Sequence, residues 1–335
     1  MNKNLLSTIV PLVMIFAGAG CNKSGKLNTP SKFTTPTGPM ELKLKWPQGE
    51  RVVQNMEMKT KLETSVPGQP APIKQDMTMG QKYALKVLKE DPDGGHEVEM
   101  EFLSARMAMD VAGRQQLDYD STRKSPADKA NPVADMFGKI VGARIKYYLD
   151  ASNNVERIEG VNELMDRLSA GTPAAELAPL KTMFSESYFR QMMSSSRFMP
   201  PKAVSPGDSW PVQLEFPMEA LGTMELDYTF TLQSWEMHGK RNCARLEFQG
   251  TVKTKPGPKP NSTGMTVVIK DGNCSGISWF DPELGITIDT KMDQDMTMTM
   301  TLPRPPQARP GAAGQPQTTT THLAQSLTIK LDTVQ

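Results

Sequence analysis

From residue 72 to 111 apolar and polar side chains alternate with a period of two, which is the pattern of a strand with one buried face. The segment Asp91-Pro92-Asp93-Gly94-Gly95 interrupts the alternation with residues suited to a tight reversal, so a long hairpin is predicted. On its incoming strand Met77, Met79, Tyr83, Leu85 and Val87 share a face. On the outgoing strand Val98, Met100 and Phe102 share one, and then the parity slips to Leu103, Ala105, Met107, Met109 and Val111. One extra residue near Phe102 and Leu103, a β-bulge, restores a common face. The resulting register sets Val87 opposite Val98, Tyr83 opposite Phe102, Met79 opposite Met107 and Met77 opposite Met109.

The C-terminal part repeats the habit. Ile277 and Trp279 lead into the turn Asp281-Pro282-Glu283-Leu284-Gly285, after which Ile286, Ile288, Met292, Met296, Met298, Met300 and Leu302 form one stripe. Asp289, Asp293, Asp295, Thr297, Thr299 and Thr301 fall on the opposite, solvent parity. Leu323, Leu327, Ile329 and Leu331 alternate in a final strand that can oppose the methionines. Further strands are predicted at about 40–46, 50–64, 113–119, 143–149, 154–159, 222–236, 242–254 and 265–279.

Helical spacing is confined to the middle. Asn131-Pro132 is a cap and first-turn pair, followed by Val133, Met136, Phe137 and Ile140, with Gly142 as the stop. Val161, Leu164, Met165 and Leu168 give an amphipathic stripe. Thr172-Pro173 opens a third helix carrying Leu177, Leu180, Phe184, Tyr188 and Met192, which Pro179 kinks or divides. The fold expected is mostly β (α+β): an extended curved antiparallel sheet, half-barrel-like or in two β halves, with a central helical insert. The domain reading is an export signal at 1–20, a flexible tether at 21–39 and an N-terminal antiparallel half at 40–160 with a short helix at 131–141. A helical insert at 161–199 and a C-terminal half at 200–335, containing a low-complexity loop at 303–321, complete it.

The pentapeptide QDMTM occurs twice, at 75–79 and 294–298, in a chain with 24 methionines. Three readings of the methionine stripes stand side by side. The first is core, since the methionines alternate with Thr and Glu and run on into Ile, Leu and Val on the same faces, and Met fills irregular cores well. The second is a pliable lining for an apolar ligand, built from Met77, Met79, Met107, Met109, Met296, Met298 and Met300. The third is a copper(I) site, because thioethers favour soft metals, although no histidine or cysteine strengthens it. No metal site and no cofactor is assigned.

Of three cysteines, Cys243 and Cys274 flank the loop KPGPKPNSTG. In an oxidising compartment they are expected to pair as a cross-strand disulfide. His96, His238 and His322 all fall in or beside turns and are read as exposed turn residues. The carboxylates Glu97, Glu99 and Glu101, like Asp293 and Asp295, lie on solvent parity, where they discourage edge pairing. No GxSxG, HExxH or phosphate loop occurs, so no catalytic residue is assigned and the protein is read as a non-enzyme.

The first twenty residues, MNKNLLSTIVPLVMIFAGAG, combine Lys3, an apolar run from Leu5 to Ala17 and small residues. The run is too short to span a bilayer and reads as an export signal. Ala19-Gly20-Cys21 resembles the bacterial lipobox, with Gly18 where a large aliphatic residue is usual. That resemblance implies a lipid on Cys21, a membrane partner through that lipid and, with Asn22 following, an outer-membrane anchor facing the periplasm. The formal charge of +1 falls to about zero without Lys3, so nucleic acid is not implied as a partner.

YYLDASNNVERIEG at 147–160, PPKAVSPGDSW at 200–210 and SWFDPELGITIDTKM at 278–292 together resemble a family of uncharacterised exported bacterial proteins, mostly lipoproteins. The resemblance implies a β-rich envelope domain and no particular activity. A looser architectural likeness is to half-barrel lipoprotein carriers, in which a curved antiparallel sheet wraps around helices. The role expected is a non-catalytic envelope binding or structural module, with an apolar ligand or another envelope protein as partner. A carrier of lipid or lipoprotein and a copper(I)-binding protein are the alternatives.

Overall fold

The computed structural model describes residues 35–46, 49–123, 131–171, 184–193, 197–217, 223–255, 266–302 and 317–334. The export signal, Cys21, most of the tether, the start of the third predicted helix and the Pro-rich part of the 303–321 loop lie outside them. The strands are β1 (Arg51–Ser65), β2 (Ile73–Glu90), β3 (His96–Val111), β4 (Arg114–Asp120), β5 (Arg144–Leu149) and β6 (Val155–Glu159), then β7 (Ser209–Pro217), β8 (Thr223–His238), β9 (Arg241–Lys255), β10 (Thr266–Asp281), β11 (Ile286–Leu302) and β12 (Gln317–Val334). They form one antiparallel 12-stranded sheet in the order β6-β5-β3-β2-β1-β12-β11-β10-β9-β8-β7, with β4 pairing beside β5 on β3. The first and last long strands therefore meet in the middle, and each half of the chain fans outward from that seam.

The predicted hairpin register is found. Val87 faces Val98, Tyr83 faces Phe102, Met79 faces Met107 and Met77 faces Met109, with a register shift between Lys82 and Tyr83 that leaves Leu103 as the extra residue. A single inserted residue moves every later side chain to the other face, which is why the parity slip in the sequence locates the bulge.

The two QDMTM copies take related places. They lie on β2 and β11, each one strand from the β1–β12 seam. Asp76 pairs with Lys61, Lys61 with Ala324, and Ala324 with Asp295, so the second residue of each copy stands at one level and the two run in opposite directions.

Three described helices follow the predicted spacing: α1 (Pro132–Ile140), α2 (Val161–Ser169) and α3 (Glu186–Met192). Asn131 caps α1 by accepting from the Ala134 amide at 3.3 Å. Phe137 of α1 packs on Tyr119 and Phe189 of α3 on Phe102, so the helices cover the inner face toward the β3–β6 edge. Toward the other edge Phe198 packs on Phe230, and the Trp210 indole donates to the Phe198 carbonyl at 3.0 Å.

Three parts of the sequence reading need correction or extension. Residues 40–46 alternate Leu42, Leu44 and Trp46 inward as a strand would, yet they join the sheet through one bridge, Met40 to Val204. The segment is a strap. It runs from Val204, just before β7, past Gly285, whose carbonyl accepts from Lys45, to Asn153 in the β5–β6 turn. Seven extended residues span at most about 25 Å, whereas the same strand order laid flat would be about 48 Å wide, so the sheet curls strongly inward. Strand β7 is absent from the sequence reading because Pro211 and Pro217 argue against it. It survives as an edge strand, the place where the sheet tolerates proline. Strand β12 begins at Gln317, inside the segment read as loop, because the Thr318–Thr321 run is β-branched and pairs with Thr301–Met298.

Candidate functional site

Alternate residues from successive strands line up across the inner face. One row runs from Tyr119 through Met107, Met79, Met58, Leu327, Met292 and Gly276 to Phe248, Phe230 and Trp210. Met58, Met79 and Met107 are direct neighbours on three adjacent strands and are 2–4% exposed. Phe248 reaches over Gly276, where an added Cβ would come within 2.3 Å of its ring. The ring fills the space that the glycine leaves, an aromatic rescue of a bare strand position.

The seven methionines proposed as a lining do not form one cluster. Met77 and Met109 are half-buried partners, Met79 and Met107 are buried partners, and both pairs lie on β2 and β3. Met296, Met298 and Met300 lie on β11 and face Leu323, Thr321 and Thr319 of β12. Strands β1 and β12 separate the two groups, a distance of about 14 Å across the sheet. Met56 and Met58 of β1 and Leu327 of β12 occupy the ground between them.

The next inward row is polar at its centre. Met77 faces Thr60, Thr60 faces Gln325, Gln325 faces Gln294, Gln294 faces Cys274, and Cys274 faces Gly250. Thr60, Gln325 and Gln294 are 2%, 4% and 3% exposed. Gln325 donates to the Thr60 hydroxyl at 3.1 Å. Neither the oxygen nor the nitrogen of the Gln294 amide has a hydrogen-bond partner, and the Gln325 oxygen has none. Burial pushes the Cys274 thiol up to about 12, against a hydrogen bond from the Tyr228 hydroxyl that favours the thiolate. Tyr228 reaches Cys274 across Gly250, where a Cβ would come within 2.5 Å of its ring.

The expected Cys243–Cys274 disulfide is not formed. Both thiols are free and buried. Cys243 pairs with Glu236 on β8, whereas the partner of Cys274 on β9 is Gly250. Seven residues of strand separate the two positions, about 23 Å, far beyond the roughly 7 Å limit between bonded cysteine Cα atoms. The odd offset also turns them to opposite faces. The hairpin is centred elsewhere than its Pro-rich loop implied, and loop composition alone does not determine register.

On the outer face His238 departs from the exposed-turn reading. Its ring stacks on Trp279 with centroids 4.3 Å apart, and its Nε2 lies 3.2 Å from Asp289 Oδ2. Trp279 Nε1 donates to Glu236 at 2.6 Å. Asp289, read as a solvent-facing carboxylate, is 6% exposed beneath that cluster. His96 is half-buried beside Trp46, with centroids 6.4 Å apart, and His322 is exposed and pairs with Asp295. Glu97 and Glu101 make cross-strand ion pairs with Lys146, Arg51 and Arg144, as their parity predicted. Arg51, Glu101 and Arg144, with Ala84, Lys86 and Glu99, line a depression there. Among the described residues no group of three or more His, Cys, Asp or Glu is arranged to hold a metal ion.

Sequence reasoning missed Thr60, Gln294 and Gln325. The signal was present, since Gln294 stands between Met292 and Met296, and Gln325 between Leu323 and Leu327, each a polar residue at inward parity.

Comparison with known proteins adds the following. No curated protein matches the chain. Among solved structures, the chain is similar to a lipovitellin whose structure concerns lipid–protein interactions, with a TM-score of 0.44, 6% identity, 86% of this chain covered and 26% of that one. The chain thus spans about a quarter of lipovitellin. A putative exported protein with a YmcC-like fold from Bacteroides fragilis gives a TM-score of 0.29 at 10% identity, with 88% of this chain and 100% of that one covered. A putative outer membrane lipoprotein-sorting protein domain from Vibrio parahaemolyticus gives 0.15 at 11% identity, covering 86% and 85%. A family profile matches residues 93–302, an interval that contains all three signatures singled out in the sequence. The chain therefore belongs to a family of unknown function, DUF6263.

Proposed function

We propose that this protein is a non-catalytic binding module of the cell envelope, anchored through lipid on Cys21 to the outer membrane and facing the periplasm, whose inner sheet face takes up an apolar ligand. The observation that carries the reading is the row Met107, Met79, Met58, Leu327 and Met292, an unbroken apolar band across the seam strands. Thioether side chains are flexible and polarizable, so such a band can re-pack around a guest. The described helices pack toward β3 and β6, leaving the band on β1, β12 and β11 to one side of them. The export signal and the Ala19-Gly20-Cys21 sequence support the anchor.

The test is native mass spectrometry of the full chain extracted from bacterial membranes in mild detergent, with lipid analysis of the same sample. The expected result is a diacyl mass on Cys21 together with one non-covalently bound apolar molecule. A protein that carries no ligand and takes up no alkyl probe overturns the binding reading, and a free Cys21 overturns the anchor. Saturation by copper(I) at integral stoichiometry, abolished by Met58→Leu and Met79→Leu, would favour a thioether metal site instead.

A further inference from the structure

The band described above is bordered by polar groups that its apolar character does not explain. Gln294 points to the same face as Met292 and Met296, and Gln325 to the same face as Leu323 and Leu327. Buried side-chain amides in folded proteins are almost always hydrogen-bonded, and an unmade bond is costly. Gln294 makes none, and Gln325 uses only its nitrogen. A glutamine on this sheet is not forced to leave both ends of its amide unpaired. Gln75, the first residue of the other QDMTM copy as Gln294 is of its own, donates to the Met109 sulfur at 3.3 Å. Gln54, also buried, accepts from the Tyr83 hydroxyl and leaves only its nitrogen unpaired, whereas both ends of the Gln294 amide are unpaired.

The free groups define what they can bind. The Gln294 nitrogen is a donor, while the Gln294 and Gln325 oxygens are acceptors. Exchanging oxygen and nitrogen of Gln294 leaves that set unchanged. The flanking inward rows, about 7 Å to either side along the strands, hold Met58, Leu327 and Met292 on one side and Leu62, Leu323 and Met296 on the other. These positions carry no charge, so a carboxylate or phosphate would lie here without a counter-ion, which is costly. A neutral group that both accepts and donates, set between two apolar segments, fits the row. A secondary amide has that pairing, whereas an ester offers only the acceptor.

Resting on the apolar-ligand reading, we infer that Gln294, Gln325 and Thr60 are the polar contact of the site and that its ligand is an N-acyl amide. The amide carbonyl accepts from the Gln294 nitrogen, and the amide N–H donates to the Gln294 or Gln325 oxygen. Thr60 is a positioning residue, holding Gln325 through its hydroxyl.

The test uses the full chain with three probes, N-butylpalmitamide, butyl palmitate and icosane, each competing against a fluorescent alkyl dye. Wild type is expected to prefer the amide over the ester, and the ester over the hydrocarbon, on the order of tenfold at each step. In Gln294→Leu/Gln325→Leu the three affinities should converge while the dye still binds. Because the substitutions remove unbonded buried amides, the melting temperature of the variant should equal or exceed that of wild type. A higher melting temperature with the amide preference intact overturns the inference and makes the glutamines merely structural. Equal affinity of wild type for all three probes overturns it too, yet leaves the apolar-ligand reading standing. No binding of dye or probes by wild type overturns both.

Discussion

The Trp46 indole nitrogen donates to Asn153 Oδ1 at 2.6 Å, joining two residues 107 apart in the chain. Trp46 ends the strap and Asn153 sits in the β5–β6 turn with φ 63°, a left-handed conformation that asparagine and glycine tolerate. One end of the curled sheet is thereby tied to its own N-terminal segment, with Leu42, Leu44 and Trp46 buried.

Trp46→Ala should cost about 3–5 kcal/mol by loss of a buried aromatic. Asn153→Gly keeps the backbone conformation and loses the bond, costing about 1 kcal/mol, whereas Asn153→Ala adds strain and should cost more. Urea unfolding of the three variants checks the order, and equal effects of the two Asn153 substitutions would show that strain does not contribute.

Gly276→Ala drives a methyl into the Phe248 ring and the Lys291 carbonyl, and should destabilise by about 1–3 kcal/mol through overpacking. Adding Phe248→Leu should recover part of that loss. A double variant no better than the sum of the singles would show that the backbone, rather than the ring, sets the limit.

Arg241 and Asp281 are 4% and 0% exposed and meet at 2.5 Å. Asp281 also accepts from the Glu283 and Leu284 amides, closing the turn before β11. Burial works against the Arg241 charge, but Asp281 and Glu283 more than offset it, so its pKa is raised. Asp281→Ala leaves that guanidinium buried without its main partner and should cost about 3–5 kcal/mol. Denaturant midpoints measure this, and a loss below about 1 kcal/mol would mean that Glu283 alone holds the guanidinium.

Cys243 and Cys274 should not react with a thiol reagent in the native protein, and both should react once it is unfolded. Burial, the largest effect for each, pushes both thiols up to about 12. The folded state therefore keeps two protons that the unfolded chain releases near pH 9. The associated stability is complete below about pH 9 and is lost between about 9 and 12, at about 1.4 kcal/mol per pH unit for each thiol. Melting temperatures from pH 8 to 11 should fall less steeply in Cys274→Ala than in wild type; parallel curves would assign the alkaline loss to other groups, such as the buried Tyr83, Tyr147 and Tyr228 and the half-buried Tyr188, whose pKa values burial also raises.

Much of the fold was written in local alternation. The Met77–Met109 and Met79–Met107 pairs follow from period and turn, because inward parity must match across a hairpin. The cap at Asn131 follows from one residue's side chain. The cysteines show where that reasoning ends, since the spacing to a long loop leaves register open and one odd residue reverses the face.

By itself, the sequence determined most of the strands, the faces of the long hairpin and the bulge at Leu103, all of which depend on neighbours a few residues apart. Only the tertiary structure decided that β1 and β12 meet, that the strap crosses the curled sheet to Asn153, and that Thr60, Gln325 and Gln294 lie side by side. Those contacts join residues up to 282 apart, Val52 and Val334, and no local pattern records which distant strands will share a ladder.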